Sequence, residues 1–207
     1  NCPLIENNEQ ADLDSDGSKE PPKTKINPKS SGSGKGYSRT NNIKRMYSLR
    51  PVISNWIKYR QSNTLDKNYI EIEREISYKD LFKGIYNLNL DYYLEENLIF
   101  YGKAFIDKLK NGNYKITFLE YFKINKDDEE KKIRPTFFIS KKMIENYPVK
   151  RLLETRLKKI EESKQNIGSV FIYSKPVLNG KYINFEIDNL DLVEIRYLKF
   201  YKQIYNS

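Results

Sequence analysis

Two Asn-Gly dipeptides, Asn111-Gly112 and Asn179-Gly180, each stand between runs dense in apolar and aromatic residues. Asn-Gly readily takes the positive φ values of a type I′ turn, which joins adjacent antiparallel strands with two residues. In LIFYGKAFIDKLKNGNYKITFLEYFKI the pattern predicts a long hairpin. Ile116, Phe118, Phe122 and Ile124 line one face of its second arm, and Thr117, Leu119 and Tyr121 line the other. GSVFIYSKPVLNGKYINFEID repeats the grammar. Aromatic residues make up 14% of the chain, mostly its 17 Tyr, which suits a core built on strands.

Between and around the hairpins the periodicity changes. In LRPVISNWIKYRQ, Val52, Ile53, Trp56 and Ile57 share one helical face, Pro51 suits a first helical position, and Trp56 is placed in the core rather than on a ligand platform. ENYPVKRLLETRLKKIEES gives the clearest helix. Pro148 lies near its start, and Val149, Leu152, Leu153, Leu157 and Ile160 form one stripe. NYIEIEREIS alternates Ile70, Ile72 and Ile76 with Glu71, Glu73 and Glu75, as one half-buried strand does; its glutamates read as solvated rather than catalytic. SYKDLFKGIYNLN reads as a helix capped by Ser77 and Asp80, with Leu81, Phe82, Ile85 and Leu88 inward. NKDDEEKK reads as an exposed charged loop, RPTFFIS as a short strand, and LDLVEIRYLKFYKQIY as a long closing strand. The sum is an α+β domain over residues 46–207: an antiparallel sheet built from hairpins, with two or three packed helices.

Residues 1–45 follow other rules. Six acids against one Lys fill Asn1 to Glu20; seven bases and no acid fill Pro21 to Arg45. Four prolines and a Ser-Gly-Ser-Gly run accompany almost no apolar side chains. Such a composition cannot offset the entropy of ordering, so a disordered tether is expected. The "GKG" and "DLDSDG" fragments lack the spacing of a phosphate loop and the closing Glu of a calcium loop.

The chain's one cysteine, Cys2, opens this tether and excludes an intrachain disulfide. Read plainly it is a free thiol. Read functionally it is the acylated residue of a bacterial lipoprotein, with Asn1 the last residue of a removed signal peptide, and more than one acyl chain makes the anchoring stable. Asn1-Cys2, the polar tether and the Lys/Asn/Ile/Tyr-rich body resemble spirochaetal surface lipoproteins of the Borrelia type. That resemblance implies a palmitate-anchored surface antigen of the outer membrane, displayed to a host and binding a host protein or another macromolecule.

Function classes narrow from the other side too. No His occurs, which removes the commonest general base, the commonest zinc ligand and every Ser-His or Cys-His pair. A non-enzymatic protein with no cofactor is expected. No apolar run approaches the ~20 residues of a membrane-spanning helix. The formal charge of +9 leaves a rival reading open, a basic protein that binds nucleic acid or another polyanion. Lys150, Arg151, Arg156, Lys158 and Lys159, set on the polar side of the clearest helix, are the candidate contacts, with Glu154, Glu161 and Glu162 diluting them.

Overall fold

The computed structural model describes residues 48–126 and 129–200. The tether, its boundary at residue 45 and Cys2 lie outside the described residues. Helix α1 (Leu49–Gln61) begins where Ser48 accepts a hydrogen bond from the Arg50 N–H at 3.1 Å. Pro51 is its third residue, not its first, and still lies in the first turn, where a missing N–H costs nothing. Leu49, Val52, Ile53 and Trp56 are buried, at the spacing of one helical face.

The segment read as one strand is a small hairpin instead. Strands β1 (Tyr69–Glu71) and β2 (Glu75–Ser77) pair antiparallel, Ile70 opposite Ile76. Ile72, Glu73 and Arg74 form the turn, so the alternation continues through a change of direction. The next helix is also shorter than its pattern suggests. The Ser77 cap forms as expected, accepting from the Asp80 N–H at 3.1 Å, but α2 covers only Tyr78–Leu81. Strand β3 (Phe82–Gly84) follows, because Phe82 and its neighbours gain a partner in a long strand further on. Strand β4 (Leu88–Asn89) and a 3₁₀ turn, Leu90–Tyr92, complete this stretch.

Strand β5 (Leu98–Lys108) and β6 (Tyr114–Phe118) form the first hairpin. Its turn has three residues rather than two. Gly112 has φ +82°, Asn111 is not in the left-handed region, and the Leu109 N–H reaches the Asn113 carbonyl at 2.8 Å. The Asn111 side chain accepts from the Asn113 N–H at 3.1 Å, a local bond that fixes this turn. The second arm then breaks. At Leu119–Tyr121 the chain leaves β5, and the Glu120 carboxylate takes the Lys103 N–H at 3.0 Å. Strand β7 (Phe122–Lys126) belongs to a separate sheet, between β4 and β8 (Glu129–Ile133). The charged NKDDEEKK segment, expected as a loop, therefore contributes Asn125 and Lys126 to β7 and residues 129–132 to β8, two strands held by cross-strand pairs such as Lys123 with Glu130 at 2.8 Å.

Strand β9 (Thr136–Ile139) is followed by helices α3 (Lys141–Glu145) and α4 (Lys150–Glu161). Strand β10 (Ile167–Ser174) leads to the second hairpin, β11 (Pro176–Asn179) and β12 (Tyr182–Phe185). Its two-residue turn is Gly180-Lys181, with positive φ on Gly180 alone. A 3₁₀ turn, Leu190–Leu192, precedes β13 (Val193–Tyr197). The closing strand is thus short. It gives way to helical residues at 198–200.

The main sheet runs β11-β12-β9-β6-β5-β10-β13, with β3 beside β5, and most of its pairings are antiparallel. Alternate residues of its two central strands enter opposite cores. Phe100, Ala104, Ile106, Val170 and Ile172 pack on one face with Leu157 and Ile160 of α4. Ile99, Tyr101, Phe171 and Tyr173 pack on the other with α1 and α2. There Trp56 stacks on Phe82, ring centroids 4.7 Å apart, as a core residue should. The fold is α+β.

Candidate partner-binding surface

Helix α4 presents its cations unequally. Lys150, Arg151, Lys158 and Lys159 are exposed, as their spacing predicts. Lys158 makes an ion pair with Glu162 at 3.8 Å, and the Lys159 ammonium lies 5.8 Å from the Tyr197 ring centroid. Leu157 and Ile160 are buried, Leu152 and Leu153 half-buried, and Val149 exposed.

Arg156 does not belong with the exposed cations. Three residues after Leu153 and four before Ile160, it lies on the inward stripe, and its side chain retains only 16% of its exposure. Its Nη1 donates to Glu194 Oε1 at 2.7 Å and to the Ile195 carbonyl at 2.9 Å. β13 ends the sheet order, so the second bond occupies an acceptor on an edge strand.

Glu194 is the centre of this arrangement, 5% exposed at the sheet edge. Arg196 Nε donates to the same oxygen at 2.9 Å while its guanidinium sits 4.2 Å from the Phe200 ring centroid. Burial lowers the pKa of Arg196, and the Glu194 carboxylate opposes that shift. Arg50, from α1, approaches Glu194 Oε1 at 3.6 Å. Helices from both faces of the sheet thus send arginines to one carboxylate. Alongside, the Tyr147 hydroxyl donates to Asp191 Oδ1 at 3.0 Å. Burial, reinforced by Asp191, pushes that phenol up to about 12, so it stays a donor at neutral pH.

The cluster sets three guanidiniums against the carboxylates of Glu194 and Asp191, which leaves one positive charge unmatched. A void of about 20 Å³, the size of one water, opens among Arg50, Tyr147, Val149, Leu153, Arg156 and Glu194. Arg50 Nε is buried, and the atom that faces it is Glu194 Oε1 at 3.6 Å, an ion pair rather than a hydrogen bond. A second concavity, about 370 Å³, is open and basic: Lys159, Lys164 and Lys199 surround Ser163, Gln165 and Tyr197.

Sequence reading missed Arg50, Tyr147, Asp191, Glu194 and Arg196. One signal was present: Glu194 and Arg196, two apart, interrupt an otherwise apolar strand, which places opposite charges side by side on one buried face. Among the described residues no group of three or more His, Cys, Asp or Glu is placed to hold a metal, and no helix is long and apolar enough to cross a membrane. No family model matches the chain, and neither a curated protein nor a solved structure is similar to it.

Proposed function

We propose that this chain is a non-enzymatic, lipid-anchored protein of a bacterial outer-membrane surface, whose α+β domain binds a host or other macromolecular partner. The carrying observation is Cys2 followed by a polar, proline-broken stretch of sequence that precedes the folded domain. Acyl chains on Cys2 then hold the membrane, at about 0.8 kcal/mol per buried CH₂, and leave the domain free to meet a partner. The absence of His supports the non-enzymatic reading. Cells expressing the precursor with labelled palmitate test the anchor: the protein takes up label and Cys2→Ala does not. Label retained by Cys2→Ala refutes it.

A second reading, polyanion binding, is favoured by one observation. Lys150, Arg151, Lys158 and Lys159 face solvent, and Lys159 also borders the basic concavity with Lys164 and Lys199. Replacing Arg151, Lys158 and Lys159 by Gln tests it, since exposed charges contribute only about 0–1 kcal/mol each to folding. Submicromolar heparin or DNA binding at physiological salt that the triple variant loses promotes this reading above the first; binding that is weak, or insensitive to the substitutions, removes it.

A further inference from the structure

We propose that Asn179 is a site of spontaneous deamidation, which turns its side-chain amide into a carboxylate at the tip of the second hairpin. In an Asn-Gly pair the glycine backbone nitrogen can attack the asparagine Cγ, since no Cβ on the glycine obstructs the approach. Solvent hydroxide takes that nitrogen's proton, and the new C–N bond closes a five-membered succinimide. The side-chain nitrogen leaves as ammonia, with a proton returned by water. A second water opens the ring at either carbonyl and leaves aspartate or isoaspartate. Water is the co-reactant, and nothing is oxidised or reduced.

The two Asn-Gly pairs differ in how firmly the reacting groups are held. In the first hairpin the Gly112 N–H donates to the Leu109 carbonyl at 2.9 Å, and the Asn111 side-chain oxygen accepts from the Asn113 N–H at 3.1 Å. Both bonds must break before that nitrogen reaches that Cγ. The Lys141 side chain also lies over this turn, its Cδ 3.1 Å from where a Cβ on Gly112 would stand. Strands β5 and β6 lie inside the main sheet. In the second hairpin, among the described residues, neither the Gly180 N–H nor the Asn179 side chain has a hydrogen-bond partner. Asn179, Gly180 and Lys181 are exposed, and beyond its chain neighbours no atom would come within 4 Å of a Cβ on Gly180. Strand β11 is short and ends the sheet, so the tip opens locally at little cost. Either product adds a negative charge beside Lys181 and opposite Tyr182, which is 59% exposed. Isoaspartate also adds a methylene to the main chain within the Asn179–Tyr182 pair, where the hairpin register has no room for it. The inference goes beyond the binding reading and stands whether or not Cys2 carries lipid.

The test incubates the purified full chain in mildly alkaline buffer made with ¹⁸O-water, with and without urea. The chain is then digested in ordinary water, and both asparagines are followed by peptide mass mapping. In the folded chain Asn179 should convert about tenfold faster than Asn111, or more, with one ¹⁸O atom in each product. In urea neither turn persists, and the two rates should agree within about threefold. Hydroxylamine, which cleaves the chain at a succinimide, should cut the folded protein mainly between Asn179 and Gly180. Two variants report independently. Asn179→Gln, whose longer side chain closes a ring far more slowly, should lose the fast product and keep the slow conversion at Asn111. Asn111→Gln should leave the rate at Asn179 unchanged. The proposal is overturned by an Asn111 that converts as fast as Asn179 in the folded chain, by a preference for Asn179 that persists undiminished in urea, or by a fast product that survives in Asn179→Gln.

Discussion

Replacing Glu194 by Ala removes the one carboxylate on which Arg156, Arg196 and Arg50 converge at 2.7, 2.9 and 3.6 Å. At 5% exposure, water cannot readily replace it. Breaking a buried ion pair from one side costs about 3–5 kcal/mol, because the partner charges remain buried without compensation. A domain of this size loses about 2–4 °C of thermal midpoint per kcal/mol, so Glu194→Ala should melt about 6–20 °C lower by circular dichroism. The arginines left behind cause much of that loss. Adding Arg196→Met to Glu194→Ala should therefore recover part of it, with a coupling of about 0.5–3 kcal/mol in the double-mutant cycle. A fall below about 3 °C for Glu194→Ala, or strictly additive losses, refutes the picture of a buried charge cluster.

Three further outcomes follow from the packing. Trp56→Ala, which empties the aromatic stack on Phe82 and Tyr101, should cost about 3–5 kcal/mol in urea unfolding; less than 1 kcal/mol means the helix does not dock there. Gly168→Ala should cost about 1–3 kcal/mol, since a Cβ would lie 2.8 Å from Ile106 Cδ1, 3.0 Å from Ile160 Cδ1 and 3.1 Å from the Arg196 carbonyl; an unchanged midpoint shows that α4 sits farther from β10. Burial raises the pKa of Tyr78, Tyr93, Tyr114, Tyr147 and Tyr173, so the folded state holds these protons more tightly than the unfolded one. Their contribution is complete below pH 10 and is lost as pH rises through the folded-state values, about 12 for Tyr147. Midpoints should fall above pH 10, and less steeply in Tyr147→Phe; equal slopes contradict the assignment.

What the sequence disclosed divides by range. Helices α1 and α4 were legible because their apolar stripes repeat within one element. The hairpins were legible because a glycine with positive φ is a local requirement, although the first turn has three residues and the second begins at Gly180 rather than at Asn179. Reversals within a continuous pattern were not legible. The β1–β2 turn and the break at Glu120 preserve alternation while changing direction, and the latter depends on a bond from Lys103, 17 residues away. Strand β8 was hidden by its charges, which a cross-strand partner offsets. The site was the least visible. Arg156 and Glu194 meet across 38 residues, and only the fold brings Arg50 to the same oxygen. Even so, the stripe spacing of Arg156 placed it inward, and the type of residue obscured the position.

The most direct test of the account is display of the domain on intact cells. Protease is added to cells expressing the full precursor, with a periplasmic protein as the control for lysis, and the domain is followed by an antibody to residues 48–200. A lipid-anchored surface domain is lost from intact cells while the control survives, and Cys2→Ala is released from the membrane fraction. A domain protected until the outer membrane is broken, or a Cys2→Ala variant that still sediments with membranes, contradicts it.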